Sequence, residues 1–133
     1  MNRFMLDTNI VSHLLKEHPA VTEQILHKPM ANLCISVLTE AELLFGLAKR
    51  PERKLLHAKV AEFLKRMTVL AWDSAAAAAF AQLRVKMERQ GRNLSPFDLL
   101  IAAHALSLGA VLVTSDHAFR QVSELTLEDW TTA

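Results

Sequence analysis

The chain has 133 residues, of which 51% are hydrophobic, and this length suffices for one substantial core, so we expect a single domain spanning residues 1–133. A single cysteine, Cys34, excludes a disulfide framework and argues against a cysteine-based zinc site. No apolar run approaches the roughly 18 residues of a membrane helix, and the N-terminus meets Asp7 too soon for a secretory signal. We therefore expect a cytoplasmic location.

The net charge of +1 conceals an uneven distribution. Residues 49–92 carry 11 Lys and Arg against 4 Asp and Glu, whereas residues 1–48 carry 3 against 5 and residues 93–133 carry 1 against 5. This division suits a protein that binds a polyanion through its middle and a metal ion among its acids. The alternative is that the basic residues only form the solvated faces of surface helices.

In chain order, short apolar runs alternate with longer helical patterns. Such alternation predicts a parallel sheet covered on both faces, which places the chain in the α/β class. A short tail follows the last predicted strand and carries apolar anchors at Phe119, Val122, Leu125, Leu127 and Trp130. The predicted strands cover residues 4–6, 33–35, 69–71 and 110–113, and the predicted helices cover 10–16, 20–27, 37–49, 53–67, a stretch from the Asp73-Ser74 cap to about residue 90, and 97–108.

Four acids are placed where they could meet. Asp7 and Asp116 follow the first and fourth strands, and the carboxyl ends of parallel strands share one edge of the sheet. Asp98 lies in the first turn of a helix that starts near that edge, and Glu42 lies on an otherwise apolar helix face. Converging carboxylates repel one another unless a cation is present, and an all-oxygen donor set suits Mg²⁺ or Mn²⁺. Such an ion would support phosphoryl chemistry.

Each acid also has a purely local explanation. Asp7 could cap the following helix, although the other three acids favour a metal role for Asp7 and leave capping to Thr8 and Asn9. Asp116 could start a turn, and the pairs Thr39–Glu42 and Ser95–Asp98 each fit a capping box. Gly46, one turn after Glu42, would let the backbone approach a neighbour or a ligand closely. His104 is expected to be packed or solvated, and His117 is the one histidine that could contact the site or its substrate.

Four motifs together resemble those of PIN-domain ribonucleases and, within that superfamily, of the VapC toxins of bacterial toxin–antitoxin pairs. They are M-L-D-T-N-I at residues 5–10, C-I-S-V-L-T-E-A-E-L-L-F-G at 34–46, P-F-D-L-L-I-A-A-H-A at 96–105 and V-T-S-D-H-A-F at 113–119. The resemblance implies a PIN-like fold, with a short parallel sheet of four to five strands flanked by about six to seven helices. It also implies that the catalytic and metal-binding residues are Asp7, Glu42, Asp98 and Asp116, supported by the polar side chains of Thr8, Asn9, Thr114 and Ser115.

The same resemblance implies an endoribonuclease that depends on Mg²⁺ or Mn²⁺ and forms a homodimer. It also implies a VapB-type antitoxin as partner, and the protein would contact DNA only through this antitoxin. The segments Q-G-R-N-L-S-P-F-D and L-E-D-W are similar to enteric members that cleave initiator tRNA in the anticodon loop. One alternative is a metal-dependent phosphatase of similar topology. Two features disfavour it: position 9 is an asparagine, and no lysine follows Lys86. Another is a non-catalytic domain whose acidic patch binds a basic partner.

Overall fold

The computed structural model describes residues 2–132, which form a five-stranded parallel sheet in the order β3-β2-β1-β4-β5. Phe4 in the central strand pairs with Leu33 on one side and with Val111 on the other. The fifth strand is only two residues long and was not predicted individually, although the expected range of four to five strands includes it. The strands are β1 (Phe4–Leu6), β2 (Leu33–Ser36), β3 (Thr68–Leu70), β4 (Val111–Val113) and β5 (Leu127–Glu128).

Six α-helices cover this sheet, and each corresponds to a predicted helix whose ends differ by at most two residues. Their limits follow from caps in the sequence, such as Asp73 before the fifth helix and the left-handed Gly109 after the sixth. No helix within residues 2–132 is long and apolar enough to cross a membrane. The helices are α1 (Thr8–Leu15), α2 (Pro19–Leu26), α3 (Val37–Ala48), α4 (Lys54–Arg66), α5 (Ser74–Arg89) and α6 (Pro96–Leu108), with 3-10 helices at Met30–Asn32 and His117–Gln121.

Two hydrophobic cores lie on opposite faces of the sheet, because successive side chains of a strand point to opposite sides. Phe4 and Leu6 pack in the core formed with α1 to α4, whereas Met5 packs in the core formed with α5 and α6. Trp130 closes the first core against Phe4, with ring centroids 5.5 Å apart. Glu42 on α3 and Asp98 on α6 therefore approach the sheet edge from opposite faces.

The strand order places a topological switch point beside β1. The chain passes from β1 through β2 to β3 on one side of the sheet and then returns to the other side of β1 with β4. In open parallel sheets the crevice beyond the carboxyl ends of such strands is the usual ligand site. Asp7 and Thr114, the first residues after β1 and β4, lie at this crevice.

Candidate active site

Asp7 both ends β1 and caps α1. Its backbone N–H donates to the carbonyl of Val113 at 2.9 Å, and its Oδ1 accepts the N–H of Thr8 at 2.9 Å. Its backbone is extended, whereas Thr8 and Asn9 are already the first residues of the helix. The prediction that Thr8 and Asn9 would provide the cap is therefore wrong: a candidate metal ligand is itself the capping residue.

The second carboxylate oxygen of Asp7 joins β1 to the end of β4. Oδ2 accepts hydrogen bonds from the Thr114 hydroxyl at 2.9 Å and from the Asn9 amide at 3.1 Å. The Thr114 Oγ1 accepts the N–H of Asp116 at 3.0 Å, and Asn9 Oδ1 accepts the N–H of Ser115 at 3.0 Å. Of the predicted supporting residues, Asn9 and Thr114 bind Asp7 through their side chains, whereas Ser115 contributes its backbone amide.

Glu42 is linked to the same site through Thr8, whose hydroxyl donates to Glu42 Oε1. The alternative of a Thr39–Glu42 capping box does not apply, because α3 begins at Val37, as predicted, and Ser36 is its cap. Ser36 Oγ accepts the N–H of Leu38 at 3.1 Å, which leaves the Glu42 carboxylate free to turn toward α1.

Asp98 lies in the first turn of α6, as predicted, and Asp116 follows β4 and begins a turn. Ser95 caps α6, and its Oγ accepts the N–H of Asp98 at 3.2 Å, while the half-buried Asp98 carboxylate belongs to the first turn. Asp116 precedes the 3-10 helix and accepts the N–H of Ala118 at 2.9 Å. The expected turn after Asp116 is thus present, and its carboxylate remains exposed at the sheet edge.

The charges of the four acids influence one another. Burial raises the pKa of Asp7; hydrogen bonds from Thr114 and Thr8 oppose this, and the charges of Asp98 and Glu42 raise it further. Burial also raises the pKa of Asp98, where the Ser95 hydroxyl opposes the shift and the charge of Asp116 adds to it. The acids therefore form a continuous electrostatic series from Glu42 through Asp7 and Asp98 to Asp116.

The donor set fits a hard divalent cation, although the carboxylates are not closed around one position. Within residues 2–132 no three Asp, Glu, His or Cys side chains are grouped closely enough to hold an ion, and none of the four acids forms a salt bridge. Asp7 is only 7% exposed, and a buried carboxylate without a cation is costly. A cation would reduce both the free-energy cost of burying the Asp7 carboxylate and the repulsion among the acids. Binding would require the other carboxylates to move toward Asp7.

A small cavity beside Asp116 brings His117, which the sequence had pointed to, together with residues that it had not singled out. Its volume is about 190 Å³, and its lining includes His117, Arg120 and Asp129. Burial alone would raise the pKa of Asp129, but hydrogen bonds from Thr131 and the nearby His117 and His13 lower it overall. Asp129 was missed because it follows β5, whose two residues gave no recognisable strand pattern.

His104 is packed in the core, as predicted, and not among the acids. It is 1% exposed, and its Nδ1 lies 2.8 Å from Ser36 Oγ. Burial lowers the pKa of His104, and the carboxylate of Asp73 and the carbonyl of Ala71 oppose this shift in part. The neutral ring therefore joins α6 to the end of β2 and to the segment after β3.

Comparison with known proteins agrees with this geometry. The family model for the PIN domain matches residues 4–125. The chain belongs to the PIN-domain family. It is 41% identical over 133 residues to a tRNA(fMet)-specific endonuclease VapC of Shigella flexneri, and the match covers 98% of this chain and 99% of the relative. It is 35% identical, with the same coverage, to a Ribonuclease VapC of Haemophilus influenzae.

Solved structures give the same assignment. The VapC-like fold superimposes with a TM-score of 0.90 on a crystal structure of DNA-bound VapBC from Salmonella typhimurium, at 34% identity over 98% of this chain and 99% of the other. The PIN-like α/β fold and the membership of the VapC group, both implied by the four sequence motifs, are therefore confirmed. The roles of the individual acids remain predictions.

Proposed function

We propose that the protein is the toxin of a toxin–antitoxin pair and a metal-dependent endoribonuclease that hydrolyses RNA phosphodiester bonds. The observation that carries this proposal is that Asp7 is buried at the switch point and that the charges of Glu42 and Asp98, from two other elements, reach it. The full-length similarity to proteins named VapC ribonucleases supports the same activity.

Asp7, Glu42, Asp98 and Asp116 would hold Mg²⁺ or Mn²⁺. Such an ion, when bound, supplies an activated water and stabilises charge on the phosphate oxygens. The remaining residues position the ligands: Thr8 holds the carboxylate of Glu42, and Asn9 and Thr114 fix the second oxygen of Asp7. Since these donors leave lone pairs of the carboxylates free, they orient the acids without neutralising them.

The basic middle of the chain maps to α4, α5 and the segments that flank them, and we assign it to the RNA backbone. A groove of about 530 Å³ between α1 and α4 is lined by Lys16, Arg53, Lys54 and Lys59, among others. Initiator tRNA is the first substrate to test, because the relative from Shigella flexneri is named for tRNA(fMet). A run of exposed cations suits a polyanionic substrate.

A VapB-type antitoxin is the proposed partner, and the structural neighbours from Salmonella typhimurium and Rickettsia felis are VapBC complexes bound to DNA. None of the four candidate site acids forms a salt bridge within residues 2–132, so an arginine of the antitoxin could bind among them in place of a metal ion. We also propose that the toxin is a homodimer.

Cleavage of RNA by the purified toxin tests the activity. We expect cleavage with Mg²⁺ or Mn²⁺ and no cleavage in EDTA. The Asp98→Asn variant should be inactive, although it keeps the backbone N–H that donates to Ser95. Asp73→Asn is the matched control, since Asp73 is an exposed acid that caps another helix at the same edge. Cleavage that is indifferent to EDTA would contradict the metal site. Turnover of a small phosphoester, with RNA left intact, would indicate a phosphatase instead.

Expression in cells tests the substrate. The toxin is expressed with and without the neighbouring reading frame, and the 5′ ends of cleaved cellular RNA are mapped. Growth arrest with one discrete cut in the anticodon loop of initiator tRNA is expected, and co-expression of the antitoxin should prevent both. Cuts spread over many RNAs would reject the initiator tRNA assignment while leaving the nuclease activity in place.

A further inference from the structure

Gly46 lies in the last turn of α3, where no described residue of the chain requires a glycine. Its backbone is not among those with positive φ, which among glycines are Gly91 and Gly109. A Cβ added at Gly46 would meet no atom within 4 Å, so the close approach expected from the sequence is not made by any residue that the structure describes. Glycine weakens a helix interior relative to alanine. The presence of a glycine would be explained if another molecule occupies the space that a side chain would fill.

The open space at Gly46 adjoins Glu42. Gly46 lies one turn after Glu42 and therefore on the same side of α3. Its neighbour Phe45 is 62% exposed, and the ammonium of Lys49 lies 4.6 Å from the centroid of the Phe45 ring. Glu42, Phe45, Gly46 and Lys49 thus form a surface strip, which we call the α3 ledge.

The charge around the α3 ledge favours a polyanion as its occupant. Lys49 is followed by Arg50, Arg53 and Lys54, all exposed, with Glu52 as the one acid among them. An exposed aromatic ring bordered by cations is the combination that proteins use to bind single-stranded nucleic acid, in which bases stack on the ring and phosphates pair with the cations. A single exposed phenylalanine would be unremarkable by itself.

We propose that the α3 ledge binds a nucleotide of single-stranded RNA next to the phosphodiester that the acids cleave. The base stacks on Phe45, Lys49 pairs with a backbone phosphate, and Gly46 leaves room for the sugar–phosphate chain to pass close to the helix. This inference rests on the proposed ribonuclease activity. It adds a substrate subsite on α3 next to Glu42. None of the other three candidate acids belongs to this subsite.

Substitutions at Gly46 separate folding from binding. Gly46→Ala and Gly46→Leu should both raise the Tm by a few degrees, because both residues favour helix and the site is open. Gly46→Leu should nevertheless weaken RNA binding about tenfold, which is within the range for losing one stacked base. Binding is measured in EDTA by fluorescence anisotropy with a single-stranded RNA of about ten nucleotides. Unchanged RNA affinity in Gly46→Leu would overturn the inference.

Substitutions at Phe45 test stacking. Phe45→Leu should weaken RNA binding about tenfold, whereas Phe45→Trp should retain it, because stacking needs an aromatic ring and not only apolar surface. Leu44→Ala is the matched control, since Leu44 is 49% exposed on the same helix. Lys49→Gln should reduce the slope of log Kd against log salt by about 0.7, the contribution of one phosphate of a single strand.

The outcomes distinguish this inference from the proposed function. If the wild-type chain binds and cuts RNA and the Phe45 and Gly46 variants do so equally well, the inference is wrong and the ribonuclease stands. If the wild-type chain neither binds nor cuts RNA, the proposed function itself fails. If Leu44→Ala and Phe45→Leu lose only the complex with the antitoxin, the α3 ledge is a surface for protein docking and the RNA subsite is rejected.

Discussion

Asp7 has a structural role as a helix cap and a proposed role as a metal ligand, and two substitutions separate them. Asp7→Asn keeps an oxygen that can accept the N–H of Thr8, so the cap of α1 survives. Asp7→Ala removes this acceptor together with the acceptor for Thr114 and Asn9. Both variants remove the carboxylate that would bind the metal ion. We therefore expect both to be inactive and only the alanine variant to be clearly destabilised.

The magnitudes follow from these bonds. Loss of a cap costs about 1 kcal/mol, and each of the other two hydrogen bonds contributes roughly 1 kcal/mol. In Asp7→Asn the new side-chain amide faces the amide of Asn9, so the hydrogen bond from Asn9 is lost. Removal of the buried charge of Asp7 offsets this loss. Asp7→Asn should thus unfold close to wild type in EDTA. Asp7→Ala loses about 3 kcal/mol from the cap and the two bonds, but it also removes the buried charge, so it should be about 2 kcal/mol less stable. For 133 residues this corresponds to a Tm difference of roughly 6–10 °C.

Thermal unfolding with and without Mn²⁺ is the assay, combined with RNA cleavage. At an Mn²⁺ concentration about 100 times its Kd, a bound ion stabilises by about 2.7 kcal/mol, which the wild type should show and both variants should lose. Asp73→Asn is the control, because it makes the same change at the cap of α5. If Asp7→Asn gained as much stability from Mn²⁺ as the wild type, Asp7 would not be a ligand. If the two Asp7 variants were equally stable in EDTA, the capping argument would fail.

Two further predictions concern the metal-free fold. The pKa values of Asp7 and Asp98 are raised, so the stability that their protonation confers is complete below pH 3.8 and is lost as the pH rises through the folded pKa values. Urea unfolding is measured in EDTA at stepped pH. The wild type should lose stability relative to Asp7→Asn as the pH rises through this window. If the free energies of unfolding of the two proteins changed in parallel, the raised pKa of Asp7 would be disproved. His104→Met should lower the free energy of unfolding by about 1–3 kcal/mol, because Ser36 loses a buried partner, and His104→Asn, which keeps a polar atom near Nδ1, should lose less. Equal losses would show that packing alone matters there.

The fold could be predicted well because its signals are local. Three of the first four strands, β1, β2 and β4, are short apolar runs that end at or next to a polar or acidic residue, and residues such as Ser95 and Gly109 mark helix limits directly. β5 gave no such signal, because it has two residues, of which Leu127 is half-buried and Glu128 is exposed. Its position depends on pairing with β4, which no local pattern of the tail expresses.

The site was predicted less evenly. Spacing and resemblance pointed to the four acids, but capping was misassigned where neighbouring residues were all capable caps. In D-T-N any residue could cap α1, and the choice is decided by the bond from the Asp7 N–H to Val113, 106 positions away. Similarly, Ser36 and Thr39 are both good caps, and only Ser36 lies at the end of the strand. The Ser36–His104 contact joins residues 68 positions apart and has no local signal.

The use of Asp7 as a cap explains how a buried carboxylate can be kept at the sheet edge without a cation. Its two oxygens accept three hydrogen bonds from Thr8, Asn9 and Thr114, and Thr8 and Thr114 each lower its pKa against the effect of burial. The net shift is still upward, so the bonds hold the carboxylate in place without fully compensating its charge. An acid that is fixed in position but electrostatically unsatisfied has a reason to bind a cation, which a salt bridge to a neighbouring lysine or arginine would have removed. The cap is therefore compatible with the proposed metal site and does not compete with it.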